Sequence, residues 1–272
     1  MQRIIIASAM IYAGAAFAAP QRATTKMYKP YICAHRGASS AAPENTLAAF
    51  KLAVELGAEA VELDTSLTSD GVPVVCHDGT VDRTTNGKGA IESMTYARIR
   101  KLDAGSWKDA RFKGEHMPAL EDVFRMKNRP YINIEIKAVV KDVNKLADTV
   151  VAMIERYGLE KSVIVSSFNG PALERVHLKN PAIATGFLYS GKTPDTLPNG
   201  ITALHPMYPT VTRDFMAFAK GKGLEVNVWT VDDPAEMRRL IALGVDSIIT
   251  NVPAVMKDVL SGQARPAADA LP

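Results

Sequence analysis

The chain has 272 residues, 47% of them hydrophobic and 22% charged, which is ordinary globular composition and excludes the disordered, collagen-like and low-complexity classes. A formal net charge of +3, spread along the chain, is too small to serve as a nucleic-acid footprint. The length fits one (β/α)8 barrel, which typically takes about 250 residues, so no second domain is required.

Residues 1–19 read as an export signal. Gln2-Arg3 supplies the charged start, Ile4 to Ala13 the apolar run, and Ala16-Phe17-Ala18 a small-x-small cleavage site before Ala19. The expected destination is the periplasm or the exterior. The alternative is a short membrane anchor, but the apolar run falls short of the about 20 residues that span a bilayer and no stop-transfer cluster follows. No Cys lies close behind it, which argues against a lipid anchor. Cys33 and Cys76 each sit inside an apolar run, so buried free thiols are expected rather than a disulfide.

Strand-like apolar runs then recur at 31–35, 59–64, 72–76, 131–137, 162–167, 182–188, 201–205, 224–229 and 245–250, most of them separated by helical patterns. That alternation predicts βα units around a parallel sheet, and hence a (β/α)8 barrel over about residues 30–260. The first helix should start at Asn45 or Thr46, bury Leu47, Phe50 and Val54, and stop at Gly57. A later one should bury Leu146, Val150, Met153, Ile154 and Tyr157 before Gly158. Asp233-Pro234 is an N-cap followed by Pro at the first helical position, with Met237, Leu240 and Ile241 as the buried stripe and Gly244 at the end. Residues 78–118 break the rhythm, being rich in Gly and Thr at first and weakly helical later; this is expected to be a small lid over the barrel mouth. The tail from 261 to 272 is Ala- and Pro-rich and expected to fray.

In Ala60-Val61-Glu62-Leu63-Asp64, strand alternation puts Val61 and Leu63 on one face and both carboxylates on the other. The pattern returns in Ile132-Asn133-Ile134-Glu135-Ile136-Lys137, whose isoleucines should face the helices while Asn133, Glu135 and Lys137 project into the barrel. Three carboxylates on two strands make an all-oxygen donor set that suits a hard divalent cation, Mg²⁺ or Ca²⁺. The competing explanation is a plain ion-pair cluster with Arg36 and Lys137. His35 ends the first strand and His77 the short run 72–76, where barrel enzymes place catalytic groups, so the pair reads as an acid and a base. Cleaving a phosphodiester requires neutralised phosphoryl oxygens, an activated nucleophile and a protonated leaving group, and these residues match those demands.

The set His35-Arg36-Gly37, Pro43-Glu44-Asn45-Thr46, Glu62-x-Asp64, His77-Asp78, Arg83-Thr84-Thr85 and Glu135-x-Lys137 resembles the glycerophosphodiester phosphodiesterase family of (β/α)8 barrels. The resemblance implies Glu62, Asp64 and Glu135 as metal ligands, His35 and His77 as the acid/base pair, and Arg36 and Lys137 as phosphate-binding cations. It further implies Glu44 at the mouth, as a hydrogen-bonding partner or an additional ligand, and Trp229 as an aromatic wall beside the substrate, although an inward Trp can also simply fill a barrel. The implied reaction is hydrolysis of a small glycerophosphodiester, such as glycerophosphocholine or glycerophosphoethanolamine, to sn-glycerol 3-phosphate and an alcohol. Three rivals compete with it: a lysophospholipase D or sphingomyelinase D-like enzyme, a non-catalytic binder of phosphodiesters, and a Schiff-base lyase using Lys137. The last is disfavoured because Lys137 lies beside a carboxylate and stays charged. Nothing in the sequence fixes the oligomeric state.

Overall fold

The computed structural model describes residues 30–262 apart from Val139. The export signal and the tail from 263 onward lie outside the described residues.

Parallel strands β1 (Tyr31–Ala34), β2 (Ala60–Leu67), β4 (Tyr131–Ile136), β5 (Val163–Ser167), β6 (Ala184–Tyr189), β7 (Ala203–Pro206), β8 (Glu225–Val228) and β9 (Ser247–Thr250) form the barrel. It closes because β1 pairs in parallel with both β9 and β2. All eight predicted barrel strands are present, and the ninth run forms β3 (Pro73–Val75), an antiparallel partner to the part of β2 that projects past the barrel. Val61, Leu63, Ile132, Ile134, Ile136, Val226 and Val228 join the main core under the helices, so the complementary residues on those strands face the barrel axis.

Helix α1 (Leu47–Glu55) is capped by the Thr46 side chain, which accepts from the Ala49 N–H. Its buried residues are Ala49, Phe50 and Ala53; Leu47 and Val54 sit on the flanks, which corrects the expected stripe. The reason is proximity: Gly37 turns beneath the helix, and a Cβ there would stand 2.7 Å from the Ala49 carbonyl carbon. The small side chain of Ala49 is what stands at that approach, its Cβ also 2.7 Å from such an atom. Gly37 also has φ +81°, a left-handed conformation that strains an L side chain. Gly37→Ala is therefore expected to destabilise the fold by at least about 1–3 kcal/mol, read from the midpoint of urea unfolding.

The longer helices follow their punctuation. Helix α4 (Val143–Tyr157) is capped by Asp142 and ends at Gly158, and α7 (Pro234–Leu243) is capped by Asp233 and ends at Gly244, both glycines being left-handed. In α7, Met237 and Leu240 are fully buried while Ile241 only borders the core. Helices α5 (Gly170–Lys179), α6 (Arg213–Gly221) and α8 (Pro253–Ser261) complete the outer ring.

Between β3 and the short helix α3 (Leu120–Phe124), residues 78–118 carry a core of their own. Val81, Ile91, Met94, Ile99, Ala104 and Met117 pack on Val74 and Cys76, with α2 (Tyr96–Ile99) the sole α-helix of the segment. Lys108 Nζ donates to Ser39 O at 2.8 Å and Arg111 Nη2 to Ala41 O at 3.1 Å, so the insertion rests on the loop between β1 and α1. Cys76 is buried in this core and Cys33 inside the barrel; both are free, and burial pushes the Cys76 thiol up to about 12 and the Cys33 thiol well above its ordinary range. Among the described residues no helix is long and apolar enough to cross a membrane.

Candidate active site

The register between β2 and β4 sets Glu62 opposite Asn133 and Asp64 opposite Glu135. One oxygen from each of Glu62, Asp64 and Glu135 lies within 4.8 Å of the others, and all three residues are buried. Like charges held that close in low dielectric resist ionisation. Burial, then the neighbouring Asp64, pushes the Glu135 carboxyl up to about 7, and the same causes drive Glu62 well above the usual carboxylate range. Burial also acts on Asp64, but Lys137 and Arg36 overcome it and hold that carboxyl below its ordinary value.

Both cations predicted from the sequence reach the cluster. Lys137 Nζ stands 2.9 Å from Glu135 Oε1 and 3.2 Å from Asp64 Oδ1, and Arg36 Nε stands 3.4 Å from Asp64 Oδ2. The Arg36 backbone N–H donates to Glu62 Oε2 at 2.9 Å. Lys137 bridges Asp64 and Glu135 and Arg36 pairs with Asp64 and Glu44, whereas among the described residues no Lys or Arg side chain bridges Glu62, whose Oε2 lies 3.9 Å from His35 Nε2. The all-carboxylate donor set, with three ligand oxygens crowded within 4.8 Å, fits a divalent cation.

Glu44 is spoken for. Its Oε1 accepts from Arg36 Nη1 and Arg83 Nη2, each at 2.8 Å, and its Oε2 from Arg83 Nη1 at 2.9 Å. It therefore braces Arg36 against the insertion and stands outside the acidic triad, so the hydrogen-bonding role is the one observed. Asn45, read from sequence only as a possible cap, does more: its Nδ2 donates to Asp64 Oδ2 at 2.8 Å and its Oδ1 accepts from the Asp64 N–H at 3.3 Å. Its φ of +59° is what brings the amide back over β2.

Each histidine has a partner on Nδ1. His35 Nδ1 lies 2.7 Å from Asn251 Oδ1, and Asn251 Nδ2 in turn donates to Asp232 Oδ2 at 2.6 Å. Because a carboxamide oxygen can only accept, the proton sits on His35 Nδ1 and the Nε2 lone pair is free toward Glu62. Burial, then Arg36, lowers the His35 pKa, so the ring is neutral near pH 7. His77 Nδ1 lies 2.8 Å from Asp78 Oδ1, and Arg83 clasps the same carboxylate, holding it down to about 2. Asn251 and Asp232 escaped the sequence reading. The available signal was position alone, a polar residue at the C-terminal end of the last strand ahead of Pro253.

Most of these side chains converge on one cavity of about 190 Å³, lined by His35, Arg36, Glu62, His77, Glu135 and Lys137 and by Phe168, Leu188, Trp229, Thr230 and Ile249. It is smaller than the roughly 300–1,000 Å³ clefts that hold drug-sized ligands, so it suits a small substrate. Trp229 lines this cavity and also packs on the buried Cys33, Ala60 and Ile249: its ring meets Phe168 edge-on at 5.6 Å, and its Nε1 donates to His205 O at 2.7 Å.

The comparisons with known proteins agree with that geometry. Residues 35–255 match the model of the glycerophosphoryl diester phosphodiesterase family. A glycerophosphodiester phosphodiesterase of Caldanaerobacter subterraneus subsp. tengcongensis is 40% identical over 234 residues, spanning 84% of this chain and 96% of its own. The crystal structure of a glycerophosphodiester phosphodiesterase from Agrobacterium tumefaciens superposes with a TM-score of 0.73 at 32% identity, covering 84% of this chain and 98% of that one. An Oleispira antarctica phosphodiesterase, solved in complex with the product sn-glycerol-3-phosphate, gives a TM-score of 0.77 at 28% identity, covering 86% of this chain and 98% of that one. Barrel, acidic triad and relatives together define a (β/α)8-barrel phosphoric diester hydrolase. Within that class, the chain belongs to the glycerophosphoryl diester phosphodiesterase family.

Proposed function

We propose that the protein hydrolyses small glycerophosphodiesters such as glycerophosphocholine and glycerophosphoethanolamine to sn-glycerol 3-phosphate and the free alcohol, outside the cytoplasm, with Mg²⁺ or Ca²⁺ held by Glu62, Asp64 and Glu135. The observation that carries this reading is a buried acidic triad whose Glu62 and Glu135 line one small cavity together with two histidines and two cations. The product-bound Oleispira antarctica relative supports the substrate class.

A bound divalent cation supplies charge neutralisation for the phosphoryl oxygens. Arg36 and Lys137, already braced by Glu44 and Glu135, add fixed positive charge where the transition state spreads negative charge. His35, neutral and with Nε2 free, takes the proton of the attacking hydroxyl, whether that of water or of the neighbouring glycerol carbon. His77, held at Nδ1 by Asp78, gives the proton that the departing alcohol oxygen needs. Proton count is conserved once the two rings exchange with solvent.

Metal-stripped protein assayed on glycerophosphocholine, with Mg²⁺, Ca²⁺, Mn²⁺ or Zn²⁺ added back, tests the reading. Release of sn-glycerol 3-phosphate is expected to return with Mg²⁺ or Ca²⁺. No release with any of the four, or turnover of lysophosphatidylcholine alone, would overturn it. Export is checked separately by sequencing the mature N-terminus, which should begin at Ala19 or Pro20.

A further inference from the structure

The lining of the cavity includes two polar side chains, Asn133 and Ser166, that the reaction above does not use. Asn133 faces the barrel axis from β4 and Ser166 from β5, in register with Glu62 and Glu135 respectively. Both line the same cavity as Glu62 and Glu135, with relative exposures of 4% and 0%. Asn133 Oδ1 and Ser166 Oγ have no hydrogen-bond partner among the described residues. A buried carbonyl and hydroxyl left unpaired are costly, and such groups are nearly always satisfied by protein, water or ligand. The register neighbour of Ser166 on the far side is Gly186, which offers no side chain. His205 fills the space above Gly186 and does not line the cavity, so it cannot serve either.

The rest of the lining is mostly apolar. Phe168, Leu188, Trp229 and Ile249 supply it, with the Trp229 N–H already bonded to His205 O, and Thr230 is the one polar residue among them. A glycerophosphodiester has a matching asymmetry, one arm being a diol and the other an alcohol head group. Asn133 Oδ1 is an acceptor and needs a donated proton. In glycerophosphocholine only the glycerol arm carries O–H donors; the quaternary ammonium has none. The hydroxyl next to the phosphate-bearing carbon lies within reach of the phosphorus, which leaves the terminal hydroxyl to extend to Asn133 and Ser166.

We infer that Asn133 and Ser166 form the subsite that recognises the terminal hydroxyl of the glycerol arm, accepting its proton at Asn133 Oδ1 and donating to its oxygen from Ser166 Oγ. This rests on the proposed function and narrows it: the pair selects the polyol arm, while the aromatic wall receives the head group. A site built to hydrogen-bond a hydroxyl rejects an analogue lacking it far more strongly than an apolar pocket rejects a lost methylene.

The test compares glycerophosphocholine with 2-hydroxypropyl phosphocholine, which lacks the terminal hydroxyl but keeps the one beside the phosphate, so attack by that hydroxyl remains open to both. Wild-type protein with its activating metal is expected to prefer the diol by about 100-fold or more in kcat/KM. In Ser166→Ala and in Asn133→Leu the ratio between the two substrates should fall by about tenfold. Wild-type protein that turns over both substrates equally, or variants that lose activity on both in the same proportion, would overturn the inference and point to ordered water at that pair. Ser166→Ala, the smaller change, keeps the variant arm usable if Asn133→Leu does not fold. Failure of the wild type on both substrates would instead overturn the proposed function.

Discussion

Replacing His35 with Asn is expected to lower kcat by about 100- to 10,000-fold, the range a positioned acid or base contributes. The size follows from geometry. The ring is tethered at Nδ1 to Asn251, leaving a single basic nitrogen directed at the site. Burial and Arg36 keep it unprotonated near neutral pH. In wild-type protein kcat/KM should therefore fall on the acid side as His35 takes up a proton, with a midpoint below the ordinary histidine value because its pKa is lowered. With the divalent cation kept saturating at every pH, the variant should lose that limb while its melting temperature stays close to wild type. Asn251→Ala should cost less, about tenfold or more in kcat, because the ring remains but its tautomer and orientation are no longer fixed. Asn251→Asp should recover part of the loss, since a carboxylate also accepts from Nδ1. An acid limb that persists in His35→Asn, or a loss below about tenfold, would remove His35 from the role of base.

How much of this could be read from sequence follows from the range of the interactions. Period-two alternation along β2 and β4 is local, so Glu62, Asp64, Asn133, Glu135 and Lys137 could be assigned to the barrel interior from the apolar residues between them. The caps at Asp233 and Gly244 are equally local. Asn45, Asn251 and Asp232 were illegible for the opposite reason. Asn45 acts through a left-handed backbone that swings its amide onto Asp64, 19 positions away, and Asn251 reaches His35 across 216 positions. No periodicity encodes either pairing. The α1 stripe held at Phe50 and failed at Leu47 and Val54, because helical period fixes which residues share a face but not how near the opposing backbone comes, as Gly37 does at Ala49. The insertion was legible as an interruption, yet its private core around Ile91, Met94 and Ile99 depends on Val74 and Cys76 from β3 and the residue just beyond it.

The acidic triad gives the second large effect, and its sign depends on pH. Glu135 titrates at about 7 in the folded, metal-free protein against an ordinary value of 4.5. Between those two values the folded chain binds more protons than the unfolded chain, so the contribution of Glu135 to stability is greatest at acid pH and is lost as pH rises through that window. The amount is on the order of 3 kcal/mol. A divalent cation inverts the balance, since it binds the carboxylate and must displace the proton below pH 7. The apparent affinity for Ca²⁺ or Mg²⁺ should thus rise about tenfold per pH unit for each proton displaced as pH climbs from 5.5 toward 7. The rise in melting temperature on adding metal should grow over the same interval. Glu135→Gln has no proton to lose and one donor fewer in charge, so its metal affinity should drop by about 100-fold and its dependence on pH should flatten. Calorimetric titration at pH 5.5 and 8, in buffers of different ionisation enthalpy, reads both the affinity and the protons released. Equal affinity at the two pH values in the wild type, or undiminished binding by Glu135→Gln, would mean that the cluster is held together by Arg36 and Lys137 alone and that the cation site lies elsewhere.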